Sequence, residues 1–218
     1  MRRYFITATG TGIGKTFVTA ALTARLRHEG KNVIALKPVI SGFDPRQLAT
    51  SDTGILLNAQ GLPLSQAMAD SISPWQFPEP LSPDMAAEDA GRSVDLTELA
   101  AFCRADEKAD YLLVEGAGGI MTPIGTDYTV LDWVAALGYE IILVAGSYLG
   151  TLSHTLTAYE AIATRGLKLH SVIISESETS PVPPTRTLLT LRRFLPNNLL
   201  TYILPRTNDA HSINNILL

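Results

Sequence analysis

The chain alternates short runs of continuous apolar residues with longer stretches in which apolar positions recur every three or four residues. Tyr4–Thr7, Val33–Leu36, Tyr111–Val114, Ile141–Ala145, Val172–Ile174 and Leu199–Leu204 are of the first kind. They lack a polar–apolar alternation, which predicts strands covered on both faces and hence a parallel sheet. Thr16–Arg27 is of the second kind: Val18, Leu22 and Leu26 share one helical face, and Gly30 follows as a terminating glycine. Leu131–Leu137 before Gly138, Thr151–Arg165 before Gly166, and Thr185–Phe194 predict further helices. Strands and helices in alternation predict an α/β fold, a doubly wound and mostly parallel sheet flanked by helices. Pro74–Pro83 reads as a proline-rich surface loop between flanks of like composition, so residues 1–218 read as a single domain.

Composition narrows the partners. At 218 residues, 46% hydrophobic and 17% charged, the chain can bury a substantial core. A net charge of −4 without a basic run argues against nucleic acid and anionic membranes, yet allows a small anion held at one point. Cys103 is the one cysteine, which excludes an intrachain disulfide and suits a reducing compartment. After Arg2 and Arg3 the apolar run is only Tyr4–Ile6, short of the ~7–15 residues of an export signal. The longest uncharged stretch, Ile141–Tyr159, is interrupted by Ser147, Gly150, Thr151, Ser153 and His154, too polar to span a bilayer. The expectation is a soluble cytoplasmic protein.

The strongest chemical signal is Ala8-Thr9-Gly10-Thr11-Gly12-Ile13-Gly14-Lys15-Thr16, between a predicted strand and a predicted helix. That is the setting of a phosphate loop: glycines turn backbone N–H groups inward, and the helix N-terminus favours an anion. Lys15 is suited to the outer phosphates and the Thr16 hydroxyl to Mg²⁺. The strict phosphate-loop pattern has glycine where Thr9 stands. Tyr111–Val114 runs into Glu115-Gly116-Ala117-Gly118-Gly119, a carboxylate at the end of a strand, where α/β sheets bind ligands. Read alone, Glu115 is equally a solvated turn residue, Lys37 a strand-end charge and Asp52 a helix cap. His154 reads as a buried structural residue and Cys103 as packing.

Taken in order, these residues resemble the dethiobiotin synthetase family over nearly the whole chain. The loop from Ala8 to Thr16 is similar to the family's G-T-x-T-x-V-G-K-T, whose extra residue accounts for Thr9. Lys37-Pro38-Val39-Ile40-Ser41-Gly42, Ser51-Asp52, the segment Phe77–Ala87, Glu115–Gly119 with Thr122-Pro123, Asp132-Trp133-Val134, and Leu149-Gly150 with His154 complete the likeness. The resemblance implies a P-loop NTPase-like fold and an ATP-dependent cyclo-ligase. Its substrates would be 7,8-diaminopelargonate and CO₂, its cofactor Mg²⁺, and its assembly a homodimer with the site at the interface. It implies Lys15, Lys37, Thr11 and Ser41 as catalytic residues, and Thr16, Asp52 and Glu115 as metal ligands. For the nucleotide it implies Gly12, Ile13, Gly14, Lys15, Thr16, Phe17, Glu115, Gly116, Ala117, Gly118, Ser175 and Pro205. For the substrate it implies Lys37, Ser41, Gly118, and Thr151, Leu152 and Ser153 acting through backbone N–H groups in the partner subunit.

The chain also departs from the family. Ala8 stands at its first loop glycine, where a left-handed backbone would cost ~1–2 kcal/mol. Ser175 stands at the asparagine that reads the base, offering less to a purine edge, and Tyr148 stands at a frequent lysine. The segment after Pro205 is short for a base clamp. The competing readings are a P-loop switch ATPase of the partitioning or division-placement type, a cobyrinate-type amide ligase and a small-molecule kinase. The first carries an early loop lysine absent from positions 8–12, and the second needs a glutaminase domain for which the sequence is too short. The third should lack Lys37-Pro38 with Ser41.

Overall fold

In the computed structural model, which describes residues 1–104, 109–206, 213 and 216–218, β1 (Arg2–Ala8) is a central strand of a parallel sheet. The chain continues through α1 (Lys15–His28), β2 (Val33–Leu36), β3 (Val39–Ser41), a 3₁₀ turn, α2 (Asp52–Ala59), α3 (Gln66–Ile72), β4 (Trp75–Phe77), α4 (Pro83–Asp89) and α5 (Leu96–Arg104). There follow β5 (Tyr111–Glu115), α6 (Val130–Leu137), β6 (Glu140–Ala145), α7 (Thr151–Thr164), β7 (Leu169–Ser175), α8 (Pro184–Leu191) and β8 (Leu200–Leu204). The six-stranded sheet has the order β2-β5-β1-β6-β7-β8, and every pair in it is parallel.

The continuous apolar runs are the strands expected, buried on both faces: Phe5, Ile6, Leu113, Val114, Ile142, Leu143 and Ile173 have no exposed surface. Trp133 of α6 packs edge-on against Phe5, with ring centroids 4.8 Å apart. Among the described residues no helix is long and apolar enough to cross a membrane.

Two expectations need correction. Pro74–Pro83 is not wholly a surface loop. Its first residues form β4, which pairs in parallel with β3 as a separate two-stranded sheet, and Phe77 is fully buried. The prolines flank the strand without interrupting it, so no ladder hydrogen bond is lost. Ala8 lies inside β1, and no described non-glycine residue has a positive φ, so alanine there carries no left-handed strain.

The topology also fixes where ligands can go. The chain leaves β1 toward β2 and β5 on one side and returns to β6 on the other. This reversal opens a crevice beyond the carboxyl end of β1, the usual binding position in such sheets.

Candidate active site

The loop after β1 occupies that crevice. Gly12 and Gly14 adopt φ of 71° and 104°, and Gly14 caps α1 without a side-chain hydrogen bond, leaving the first amides of the helix available to an anion. Gly14 is also hemmed in: a Cβ there would lie 2.5 Å from Ser175 Oγ. Gly14→Ala is therefore expected to combine left-handed strain of ~1–2 kcal/mol with a steric clash. Nucleotide affinity should fall by roughly tenfold or more, a loss of at least ~1.4 kcal/mol, and titration with ATP and with ADP checks it.

Lys37 and Glu115 meet because of strand register. In the parallel pair of β2 and β5, Leu36 lies opposite Val114, so the next residues, Lys37 and Glu115, emerge side by side at the carboxyl edge. Lys37 Nζ lies 2.7 Å from Glu115 Oε1, 3.1 Å from the Gly116 carbonyl and 3.2 Å from Asp52 Oδ2. Both ends of the Lys37–Glu115 pair are buried, with 3% and 0% exposure. Burial alone would depress the Lys37 ammonium; the charges of Glu115 and Asp52 outweigh it and hold the group above the usual lysine range. Burial opposes ionisation of Asp52 too, but Lys37 and the Thr16 hydroxyl bring it below the ordinary carboxylate value. Lys15 donates to the Gly118 carbonyl at 2.6 Å, and burial, helped by repulsion from Lys37, lowers it to about 8.

The oxygen atoms suit a hard divalent cation. Thr16 Oγ1 donates to Glu115 Oε1 at 2.8 Å, the oxygen that Lys37 also uses. Glu115 Oε2 is buried with no hydrogen-bond partner among the described residues, a costly state for a carboxylate oxygen unless a ligand completes it. Among the described residues no three His, Cys, Asp or Glu side chains converge as a protein-only metal cage. One hydroxyl and two carboxylates fit Mg²⁺, which takes few protein ligands and keeps waters or phosphate oxygens.

These groups line a cleft of about 690 Å³. Thr11, Gly12, Gly14, Lys15, Thr16, Lys37, Ser41, Asp52, Ala117 and Gly118 all border it, and Glu115 and Gly116 lie against it through Lys37. Of the other expected residues, Ile13 packs on the core and Phe17 is 36% exposed on α1. Ser175 is buried against Gly14, while Pro205 follows β8. Thr151, Leu152 and Ser153 open α7 and do not border this cleft. His154 is not buried, contrary to expectation: it is exposed and its Nδ1 lies 2.7 Å from the Tyr148 hydroxyl. Cys103 is buried on α5, as expected of packing.

Ser82 and Thr122 belong to motifs read in the sequence, but neither was expected in the site, and both border the cleft. Thr122 Oγ1 accepts from the Gly119 amide at 2.7 Å and pins the glycine loop. The Ser41 and Ser82 hydroxyls are buried without hydrogen-bond partners among the described residues, as donors waiting for a polar ligand are. Only proximity in the fold, not spacing, could have found Ser82. A second cleft of about 720 Å³ lies at the opposite edge of the sheet, where Lys168 and His170 are already paired with Glu140.

A family model described as an AAA domain matches residues 2–209. The chain is 47% identical over 216 residues to the ATP-dependent dethiobiotin synthetase BioD of Acidiphilium cryptum, covering 97% of this chain and 96% of that protein. It is 34% identical over 202 residues to the ATP-dependent dethiobiotin synthetase BioD 1 of Escherichia coli O157:H7, covering 91% of this chain and 88% of that one. A ParA family ATPase from Chlorobium tepidum superposes with a TM-score of 0.58 at 15% identity, over 98% of this chain and 89% of that structure. That likeness carries the fold alone.

Proposed function

The chain belongs to the dethiobiotin synthetase family, and from that membership we propose that it closes 7,8-diaminopelargonate on CO₂ to form dethiobiotin, converting ATP to ADP and phosphate. The observation that carries the reading is the meeting of two buried ammonium groups, Lys15 and Lys37, in a cleft with a phosphate loop. A phosphate loop needs one lysine; the second, bordering the same cleft as the Ser41 hydroxyl, which has no hydrogen-bond partner among the described residues, suits a second anion.

The reaction supplies that anion. One amine of the substrate attacks CO₂ and loses a proton, giving a carbamate. A carbamate carbonyl is too electron-rich for the neighbouring amine, so a carbamate oxygen first attacks the γ-phosphorus and ADP leaves. The second amine then adds to the mixed anhydride and loses a proton. The ring closes as phosphate departs with the oxygen that came from CO₂. In this reading Lys15 holds the outer phosphates, and Lys37 spans carbamate and γ-phosphate, neutralising charge that builds between them. Thr11 and Ser41 orient phosphate and carbamate, and the amides of Gly12, Ile13, Gly14, Thr16 and Phe17 wrap the phosphates. Thr16, Asp52 and Glu115 would hold Mg²⁺, which when bound draws charge from the phosphate oxygens. Holding the second amine at attack distance adds effective molarity, a factor that reaches ~7–11 kcal/mol in well-oriented systems.

The same reading makes the protein a single-domain, cytoplasmic homodimer. Leu149 is 87% exposed and Leu152 37%, an apolar surface at the start of α7 suited to self-association. There the amides of Leu152 and Ser153, with that of Thr151, which in the ligand-free protein donates to the Tyr148 carbonyl at 3.2 Å, would take the tail carboxylate of the diamine bound in the partner's cleft.

Purified protein supplied with ATP, Mg²⁺, bicarbonate and the diamine is expected to release ADP and dethiobiotin in equal amounts. ADP release without the cyclic urea, or a stable phosphorylated diamine, would favour a switch ATPase or a kinase instead.

A further inference from the structure

Two loops at the carboxyl edge of the sheet are stitched together outside the cleft. Residues 146–150 lead from β6 into α7, and residues 176–183 lead from β7 into α8. Paired residues of these strands end at Ala145 and Ile174, so the ladder does not hold the loops beyond them. Ser147 and Ser177 do. The Ser147 N–H donates to Ser177 Oγ and the Ser177 N–H donates to Ser147 Oγ, each at 2.9 Å. Ser147 is 1% exposed, and its Oγ also lies 2.5 Å from Ser180 Oγ. Gly146 permits the approach, because a Cβ there would stand 2.8 Å from Ser177 Oγ.

Each side of this bridge leads to a binding element. On one, Ser175 lies two residues before Ser177 and presses on Gly14 of the phosphate loop. On the other, the Gly146 carbonyl accepts from Thr151 Oγ1 at 2.8 Å, fixing the first turn of α7, where Gly150 caps the helix without a side-chain bond. A continuous path of short contacts therefore runs from the phosphate loop to the amides that open α7.

We propose that the Ser147–Ser177 bridge is a positioning device that couples nucleotide in one cleft to the carboxylate end of the diamine held by α7 for the partner's cleft. It rests on the function proposed above. A nucleotide that orders the phosphate loop orders Ser175 and, through the bridge, the α7 amides. The second ligand then meets amides already in place, which is positive cooperativity by linkage.

The test measures diaminopelargonate affinity calorimetrically with and without a non-hydrolysable ATP analogue and Mg²⁺, alongside dethiobiotin formation. Wild-type protein should bind the diamine at least about fivefold more tightly in the presence of the analogue, the lower end of ordinary coupling. Ser177→Ala should bring that ratio to within about twofold of unity while the affinity for the analogue itself stays within about twofold of wild type, and Ser177→Thr should restore the ratio. If Ser177→Ala does not fold, Ser180→Ala, which removes only the outer hydroxyl, should lower the ratio partially. A ratio unchanged in the alanine variant that folds, or no coupling in the wild type, overturns the bridge. Wild-type protein that makes no dethiobiotin overturns the proposed function instead, and the inference with it.

Discussion

Lys37→Gln is expected to lower turnover by about 10²–10³-fold, the usual loss when one preorganised group facing transition-state charge is removed. The amide keeps a hydrogen-bond donor but not the charge that would sit between carbamate and γ-phosphate. The substitution also strands Glu115, which is fully buried and holds Lys37 at 2.7 Å. Removing one partner of a buried ion pair costs ~3–5 kcal/mol, so the ligand-free variant should melt well below the wild type. Single-turnover kinetics at saturating ATP, with thermal unfolding beside it, separates the two effects. Near-normal turnover would remove Lys37 from the chemistry, and unchanged melting would contradict the buried pair.

Glu115→Gln attacks the same pair from the other side. Its carboxylate offers Oε2 without a hydrogen-bond partner among the described residues and shares Oε1 between Thr16 and Lys37. Loss of even an outer-shell metal partner costs ~10–100-fold in metal affinity, so a direct ligand should cost at least that. The Mg²⁺ concentration giving half-maximal rate should therefore rise by ~10-fold or more. Lys37 would keep Asp52 as its remaining carboxylate, 3.2 Å away. An unchanged Mg²⁺ requirement would exclude Glu115 as a ligand.

The six strands of the main sheet were legible because strands covered on both faces must be apolar throughout, and Ile141–Ala145 or Tyr111–Val114 admit little else. β3 and β4 were not, because three-residue strands such as Val39–Ser41 carry no period. The helices from α2 to α5 span seven to nine residues each, about the length of α6 and α8 at eight, so length alone did not hide them. Their starts depend on local caps such as Ser51, whose Oγ accepts from the Gly54 amide at 3.1 Å.

The phosphate loop was legible because its chemistry is local. The Lys37–Glu115 contact joins residues 78 apart and exists only through the register of β2 on β5. The Ser175 hydroxyl lies against Gly14 of the phosphate loop, a relation that no spacing encodes. His154 was expected inside the protein, yet it is exposed on the first turn of α7, where the hydroxyl of the half-buried Tyr148 meets its Nδ1.

The oxygen fate of CO₂ tests the central claim most directly. Enzyme supplied with ATP, the diamine and CO₂ carrying heavy oxygen, and quenched before the label exchanges with water, should release phosphate bearing one heavy oxygen for each dethiobiotin formed. Dethiobiotin formed with unlabelled phosphate would mean that no carbamate oxygen ever reached the γ-phosphorus, and the roles given to Lys37 and Ser41 would fall.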